Sequence, residues 1–218
     1  MHRLNRGAVP VPSALVNPPP DLRYDQLQTS EKAEIRSALL QIQGQRCAYC
    51  ERRTGDSKDD GHIEHFRGQA KNRERDVDWS NLFWSCNDEK TCGKHKDKCD
   101  RGTGPQAKFD PNDLLDACVD DPERFLLFVV DGTVRPRPGL SDAERRRAEE
   151  TLRVFQLAVS PYLRRMREDA LRPYIGAVDV LRSAGPQLLV DYVRKELSKL
   201  ESAPFATAIK QFLEGMIY

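Results

Sequence analysis

"CAYCERRTGDSKDDGHIEHFRG", Cys47 to Gly68, decides how this chain is read. It sets two cysteines two residues apart, follows them with a polar, glycine-containing loop, and then places Glu64 and His65 on a short apolar stretch. A turn between paired thiols lets both sulfurs reach one Zn²⁺ at about 2.3 Å. Cys47 and Cys50 thus form one half of a tetrahedral site, and the other half must come from SCNDEKTCGKHKDKC, which offers Cys86, Cys92 and Cys99. Cys86 with Cys92 is the preferred pair, and Cys92 with Cys99 is its competitor. Five of the six cysteines fall between Cys47 and Cys99, and in a reducing compartment such clustering marks metal rather than disulfides. Cys118 stands apart and reads as a packed thiol.

Length and charge set the frame. At 218 residues the chain can bury one good core with a smaller appended unit. No apolar run approaches the roughly 20 residues that cross a bilayer, and MHRLNRGAVPVPS lacks the continuous apolar segment of a signal peptide. The expectation is a cytoplasmic protein with no membrane partner. Residues 46–108 carry a net charge of +2 and residues 109–218 a net −2. That balance permits a nucleic-acid partner for the cysteine-rich part without arguing for one.

Thirty-five residues separate Cys50 from Cys86, more than the roughly 15–20 of a plain zinc ribbon, so something is inserted. The insert holds HIEHF at 62–66 and DWSNLFWSC at 78–86, and His95 follows the second cysteine pair. A carboxylate–His pair, then an Asn before an apolar run into a cysteine, then a His among lysines resembles the HNH endonucleases, with their ββα-metal unit. MHRLNR, CAYCE, IEHFR, DWSNLFWSC, TCGKHK, FLLFVVDGTVRP and TLRVFQLAVSPYLRRMREDAL extend the likeness over most of the chain. Together they are similar to the PtuB-like HNH subunit of Septu-type anti-phage defence systems, a family also found with some retrons. The resemblance implies hydrolysis of nucleic-acid phosphodiesters, with DNA favoured, in a complex with a PtuA-like ATPase subunit. Two positions depart from the pattern. Gly68 stands where the family more often has proline, and Gly93 where many HNH motifs place the final His or Asn; the nearest imidazole is His95.

Residue chemistry points the same way. Phosphodiester cleavage needs a base to deprotonate water and a cation to stabilise charge on the phosphate and leaving oxygen. His65 suits the first task, its unperturbed pKa lying near neutrality. Glu64 suits a hard Mg²⁺ or Mn²⁺. Neighbours on a strand point to opposite sides, so their cooperation requires a bulge or a strand end at this point. Asn81, carried over as the middle residue of the HNH motif, would tie the loop and orient the His65 ring. His95 is either the second ligand of the catalytic metal or one more exposed polar residue, and His62, on the Glu64 face, is an auxiliary ligand or a solvated histidine. Arg67, Lys71, Lys94 and Lys96 are the expected phosphate clamps, and Trp79, Phe83 and Trp84 the expected core beside the structural zinc. The alternative is an inactive zinc module that binds nucleic acid or protein.

The expected fold is α+β and mostly α: a ββα-metal HNH unit with a four-cysteine zinc knuckle, a β-hairpin and C-terminal helices. Residues 1–28, rich in proline, form an extended arm lying on a surface. Residues 29–108 form the zinc-stabilised nuclease domain, opened by a helix from Ser30 to about Gln43. Residues 109–218 form a mainly helical region, the natural docking surface for the ATPase. In it, Asp131-Gly132 suits a two-residue type I′ turn, and SDAE, Ser141 to Glu144, is a capping box for a helix with Leu152, Phe155 and Val159 facing a core. Ser160-Pro161 opens a helix kinked at Pro173, with Leu163, Met166, Ala170 and Leu171 as its stripe, and Gly185-Pro186 and Pro204 break the chain before further helices.

Overall fold

The structure, a computed structural model, describes residues 1–102 and 108–217. Helix α1 spans Thr29–Ile42. Its start is fixed by Glu31, whose carboxylate accepts the Gln28 N–H at 2.6 Å, and Gly44, at φ 61°, turns the chain out of it. Strand β1, Gly61–His65, pairs antiparallel with β2, Leu82–Cys86, in an unbroken register from Gly61↔Cys86 to His65↔Leu82. Helix α2, Cys92–Asp100, follows and packs on β2.

Helix α3, Pro122–Phe125, leads into a second antiparallel pair, β3 (Leu126–Phe128) with β4 (Val134–Pro136). Four longer helices complete the chain: α4 (Asp142–Val154), α5 (Pro161–Ala184), α6 (Pro186–Leu197) and α7 (Ala206–Glu214). The class is therefore α+β, dominated by helix. Among the described residues no helix is long and apolar enough to cross a membrane.

The β1–β2 pair is a partition between two cores. Alternation sends Leu82 and Trp84 to one side, where they meet Ile35, Leu39 and Leu40 of α1. Phe83 goes to the other, beside Tyr49, Phe66 and the cysteines. That second core also takes in Met1, Leu4, Leu114, Leu115 and Leu152, so it draws on all three stretches into which the sequence divides. A third cluster, with Leu171, Val178, Val193, Ile209 and Leu213, holds α5, α6 and α7 together.

Several expectations change. Residues 1–28 have the irregular backbone that their prolines dictate, in short 3₁₀ turns, yet they do not simply lie on a surface. Leu4, Val9, Leu15 and Leu27 are buried, because an arm without a repeating period can still drop single side chains into a core. Val159 is 65% exposed: α4 has already ended at Val154, and the face of a helix no longer applies. Helix α5 continues through Pro173 to Ala184, as expected of one helix with an internal proline, and burial of Leu163 and Leu171 on one side outweighs the lost backbone hydrogen bond.

The hairpin is present, but its turn is longer than a type I′. Val129 N–H bonds Thr133 O and Gly132 N–H bonds Val129 O, both at 2.9 Å. Gly132 alone takes the left-handed conformation, φ 77°, the pattern of a three-residue loop closed by an αL glycine. Arg167, buried on α5, donates to Gly132 O at 2.9 Å and Leu157 O at 2.6 Å, fastening the hairpin to the helices. A Cβ at position 132 would lie 2.1 Å from Arg164 O. Gly132→Ala should therefore destabilise the fold by about 1–3 kcal/mol, read as a lower urea midpoint at unchanged slope.

Candidate metal centre and the adjoining polar cluster

The four cysteines arrive from three elements. Cys47 and Cys50 sit in a tight turn after α1, closed by Cys47 N–H to Arg52 O at 3.0 Å and Glu51 N–H to Cys47 O at 3.1 Å. Ala48 N–H bonds Trp84 O at 3.1 Å, laying this turn against β2. Cys86 ends β2 and Cys92 begins α2, with its N–H on Phe155 O at 2.9 Å. The Ser85 hydroxyl accepts the Gly93 N–H at 3.1 Å and lies 4.0 Å from Cys47 Sγ, linking the two halves.

All four sulfurs lie within 4.8 Å of one another, and all are buried. Burial pushes the Cys50 and Cys92 thiols well above their ordinary value. Cys47 is equally buried, but the thiols of Cys50, Cys86 and Cys92 directed at it hold it well below. A dication with tetrahedral preference removes the thiol protons and fits this donor set, which is compatible with zinc. Cys99 lies outside the group and instead approaches His95, Sγ to Nδ1 3.6 Å.

Beside the cysteines lies a buried polar cluster. The β1 register has no bulge, so Glu64 and His65 emerge on opposite faces. Glu64 faces α2: its Oε1 is 2.5 Å from Lys96 Nζ and its Oε2 is 3.3 Å from His62 Nε2. The Lys96 ammonium, fully buried, also donates to His65 O at 2.5 Å and lies 3.1 Å from Asp97 Oδ1. Burial would raise the Glu64 carboxyl, but the Lys96 charge and the hydrogen bonds of His62 and Lys96 hold it below its usual value. Burial likewise works against the Lys96 charge and is outweighed by Glu64 and Asp97. Asp97 is pushed up by burial and by the Glu64 charge.

Gly93 has a physical reason. A Cβ there would lie 2.5 Å from Glu64 Oε2, so the glycine lets the start of α2 close on the carboxylate.

His65 belongs to the other face. Its Nε2 is 2.8 Å from Asp76 O and 3.3 Å from Asp76 Oδ1, and its ring stands edge-on to Tyr24 at 5.4 Å. A carbonyl only accepts, so Nε2 carries the hydrogen and the neutral ring keeps its lone pair on Nδ1. Burial lowers the His65 pKa, with Asp76 partly offsetting it. Asn81 touches the loop rather than the ring: its Oδ1 accepts the Arg67 N–H at 2.7 Å, and its Nδ2 donates to Arg67 O at 3.1 Å and Arg75 O at 3.0 Å. Ring orientation falls to Asp76, a buried residue that the sequence reading missed. Tyr24 N–H donates to Asp76 Oδ2 at 2.9 Å, and Gln69 bonds Oδ1. A single acid in a loop of mixed charge gives no sequence signal for such a role.

The remaining residues of the sequence reading are dispersed. His95 Nδ1 is 2.8 Å from Val154 O, and no contact joins it to Glu64; the imidazole neighbour of Glu64 is His62. Among the described residues the four sulfurs form the only group of three or more ligating side chains within reach of one ion. Of the expected phosphate clamps, Lys96 is buried, Lys71 pairs with Asp100 at 2.7 Å and Arg67 donates to Asn112 at 2.8 Å. Lys94, 4.0 Å from Glu89, borders an open cleft. Trp79, Phe83 and Trp84 are core.

Two outcomes check this centre. Elemental analysis should find about one zinc per chain, lost in Cys47→Ser/Cys50→Ser and Cys92→Ser and retained in Cys99→Ser. Lys96→Ala, which strands the Glu64 charge in the interior, should cost about 3–5 kcal/mol in chemical denaturation, and the Glu64→Gln/Lys96→Met double variant should recover most of that loss.

No protein-family model matches the chain and no curated protein matches it either, so its function is read from this geometry.

Proposed function

We propose that the chain is an HNH-type endonuclease that hydrolyses nucleic-acid phosphodiester bonds, DNA being favoured, with a structural zinc in the four-cysteine site. The observation that carries the reading is the state of His65: a neutral imidazole at the end of β1, its Nε2–H committed to Asp76 O and its Nδ1 left as the proton acceptor. The pairing of β1 with β2, the packing of α2 on β2 and the bond from Asn81 to the loop that carries Asp76 support a ββα reading. A water deprotonated by Nδ1 is the nucleophile such a reaction needs. His65 and Glu64 leave the strand on opposite sides, and Lys96 joins the Glu64 carboxylate to the His65 backbone carbonyl.

The side chains beside Glu64 are His62 and Lys96, while His95 lies on Val154 O; a metal requirement is part of the proposal from the resemblance alone. The proposal also includes the defence setting, a cytoplasmic effector subunit partnered by a PtuA-like ATPase, with α4 to α7 as the docking surface. That part likewise rests on the sequence resemblance.

One observation favours the second reading, an inactive zinc module that binds nucleic acid or protein. The ammonium of Lys96 already neutralises Glu64, the carboxylate that a nuclease would offer to a metal.

The test incubates the purified chain, alone and with its ATPase partner, on DNA and RNA with Mg²⁺, Mn²⁺ or neither. Cleavage by the wild type that falls by about 10²–10⁴ in His65→Ala at unchanged zinc content and fold supports the nuclease. No cleavage by the wild type under any of these conditions supports the inactive module. Because burial lowers the His65 pKa, the base stays neutral down through the ordinary imidazole value of about 6.5. The rate should therefore hold level to that pH and fall only on its acid side.

A further inference from the structure

A cleft of about 570 Å³ opens between α1, the loop before β1, β1 itself and α2. Its walls include Lys32 and Arg36 from α1, Lys58 from the loop, His62 from β1, Lys94 from α2 and the ring of Tyr24. Four of these are permanent cations, from three segments, in a chain whose overall net charge is +1. Glu89 is the one acid on the wall, and it is engaged by Lys98 at 3.0 Å and Lys94 at 4.0 Å. Among the described residues neither Arg36 nor Lys58 has an acidic partner. Unpaired cations converging on one concave surface raise the local concentration of an anionic ligand.

The cleft is also held in shape. Asn87 donates to Lys58 O at 2.5 Å and its Oδ1 is 3.0 Å from His62 Nδ1, so the loop and β1 share one clamp. Both ends of the polar machinery touch this space: His62 is 3.3 Å from Glu64, and Tyr24 stands against the His65 ring.

We propose that this cleft is the path of a single-stranded nucleic-acid backbone, with Arg36, Lys58 and Lys94 on successive phosphates. The proposal rests on nucleic acid being the ligand, as in the function above, and not on cleavage. A groove of small-molecule size lined by cations admits one strand. A duplex presents its phosphates on the outside of a far wider cylinder, and one backbone can cross the mouth without entering.

The experiment measures fluorescence anisotropy of zinc-loaded protein with labelled oligonucleotides of about 12 nucleotides, as single-stranded DNA, single-stranded RNA and DNA duplex, without added divalent ions. Both single strands should bind more tightly than the duplex, the tighter of the two identifying the sugar preferred. Arg36→Glu/Lys58→Glu, at exposed or half-buried positions, should lose at least about tenfold in affinity and flatten the salt dependence by about one to two phosphates. Its zinc content and thermal melting should match the wild type. Arg172→Glu/Arg182→Glu, the same charge change on the distant α5, should leave binding unchanged.

The proposal is overturned if the Arg36/Lys58 variant binds like the wild type, if the duplex binds as tightly as either strand, or if poly-glutamate competes equally at equal charge. Binding by a wild-type protein that cuts nothing would sink the nuclease and leave the cleft. Cleavage of a single strand by the Arg36/Lys58 variant at wild-type KM would do the reverse.

Discussion

Four buried sulfurs within 4.8 Å of one another impose the constraint on which the rest of the molecule is arranged. Without a cation, burial pushes the Cys50 and Cys92 thiols well up while the neighbouring thiols hold Cys47 well down. With one, the turn after α1, the end of β2 and the start of α2 become a single junction. That junction sits in a core reaching from Met1 to Leu163. A chain with short two-stranded sheets, each marginal on its own, thereby gains a fixed point from which β1 and α2 take their relative placement.

From that junction follows the polar cluster. Closing α2 on β1 buries a lysine and the Glu64 carboxylate, with the half-exposed Asp97 beside them, a costly arrangement unless the charges meet one another and every donor is used. Lys96 meets the condition by touching Glu64, Asp97 and the His65 carbonyl together. Opposite faces of one strand are thus coupled: Glu64 is fixed from the α2 side, whereas His65 is fixed from the Tyr24 and Asp76 side. Asn81 serves the second arrangement by holding the loop rather than by touching the ring.

What could be read beforehand was whatever depends on spacing along the chain. The Cys47–Cys50 pair, the Ser141–Glu144 capping box and the glycine of the hairpin are local devices, and their chemistry shows in a handful of consecutive residues. What could not be read depends on which face meets which. His95 and Lys96 are neighbours on α2, and their residue types favoured His95 as the inward ligand and Lys96 as a solvated cation. The rotation of α2 fixed by Cys92 reverses this, since position 96, four residues on, shares the inward face. The placement of His62 beside Glu64, by contrast, was legible, because residues two apart on a regular strand share a side. Asp76 approaches His65 only through the fold of an irregular loop, where no period exists to read. The arm of residues 1–28 shows the same limit: its prolines announced its backbone, while the burial of Leu4, Val9, Leu15 and Leu27 had no pattern to announce it.

Cys92 and Lys96 lie one helical turn apart on α2, which gives the helix two anchors, one sulfur and one nitrogen. Removing an ion from the four cysteines would loosen the first turn of α2 and with it the ammonium that neutralises Glu64. A chelator that strips an ion from the sulfurs would therefore act on the carboxylate cluster without touching it. For the nuclease proposed above, inhibition by chelation, ordinarily taken as the signature of a divalent ion at the reacting phosphate, would be an expected property of the scaffold. The two origins separate by kinetics: a labile ion in an open cleft exchanges quickly, whereas a buried thiolate site gives up its metal only as fast as the surrounding core opens.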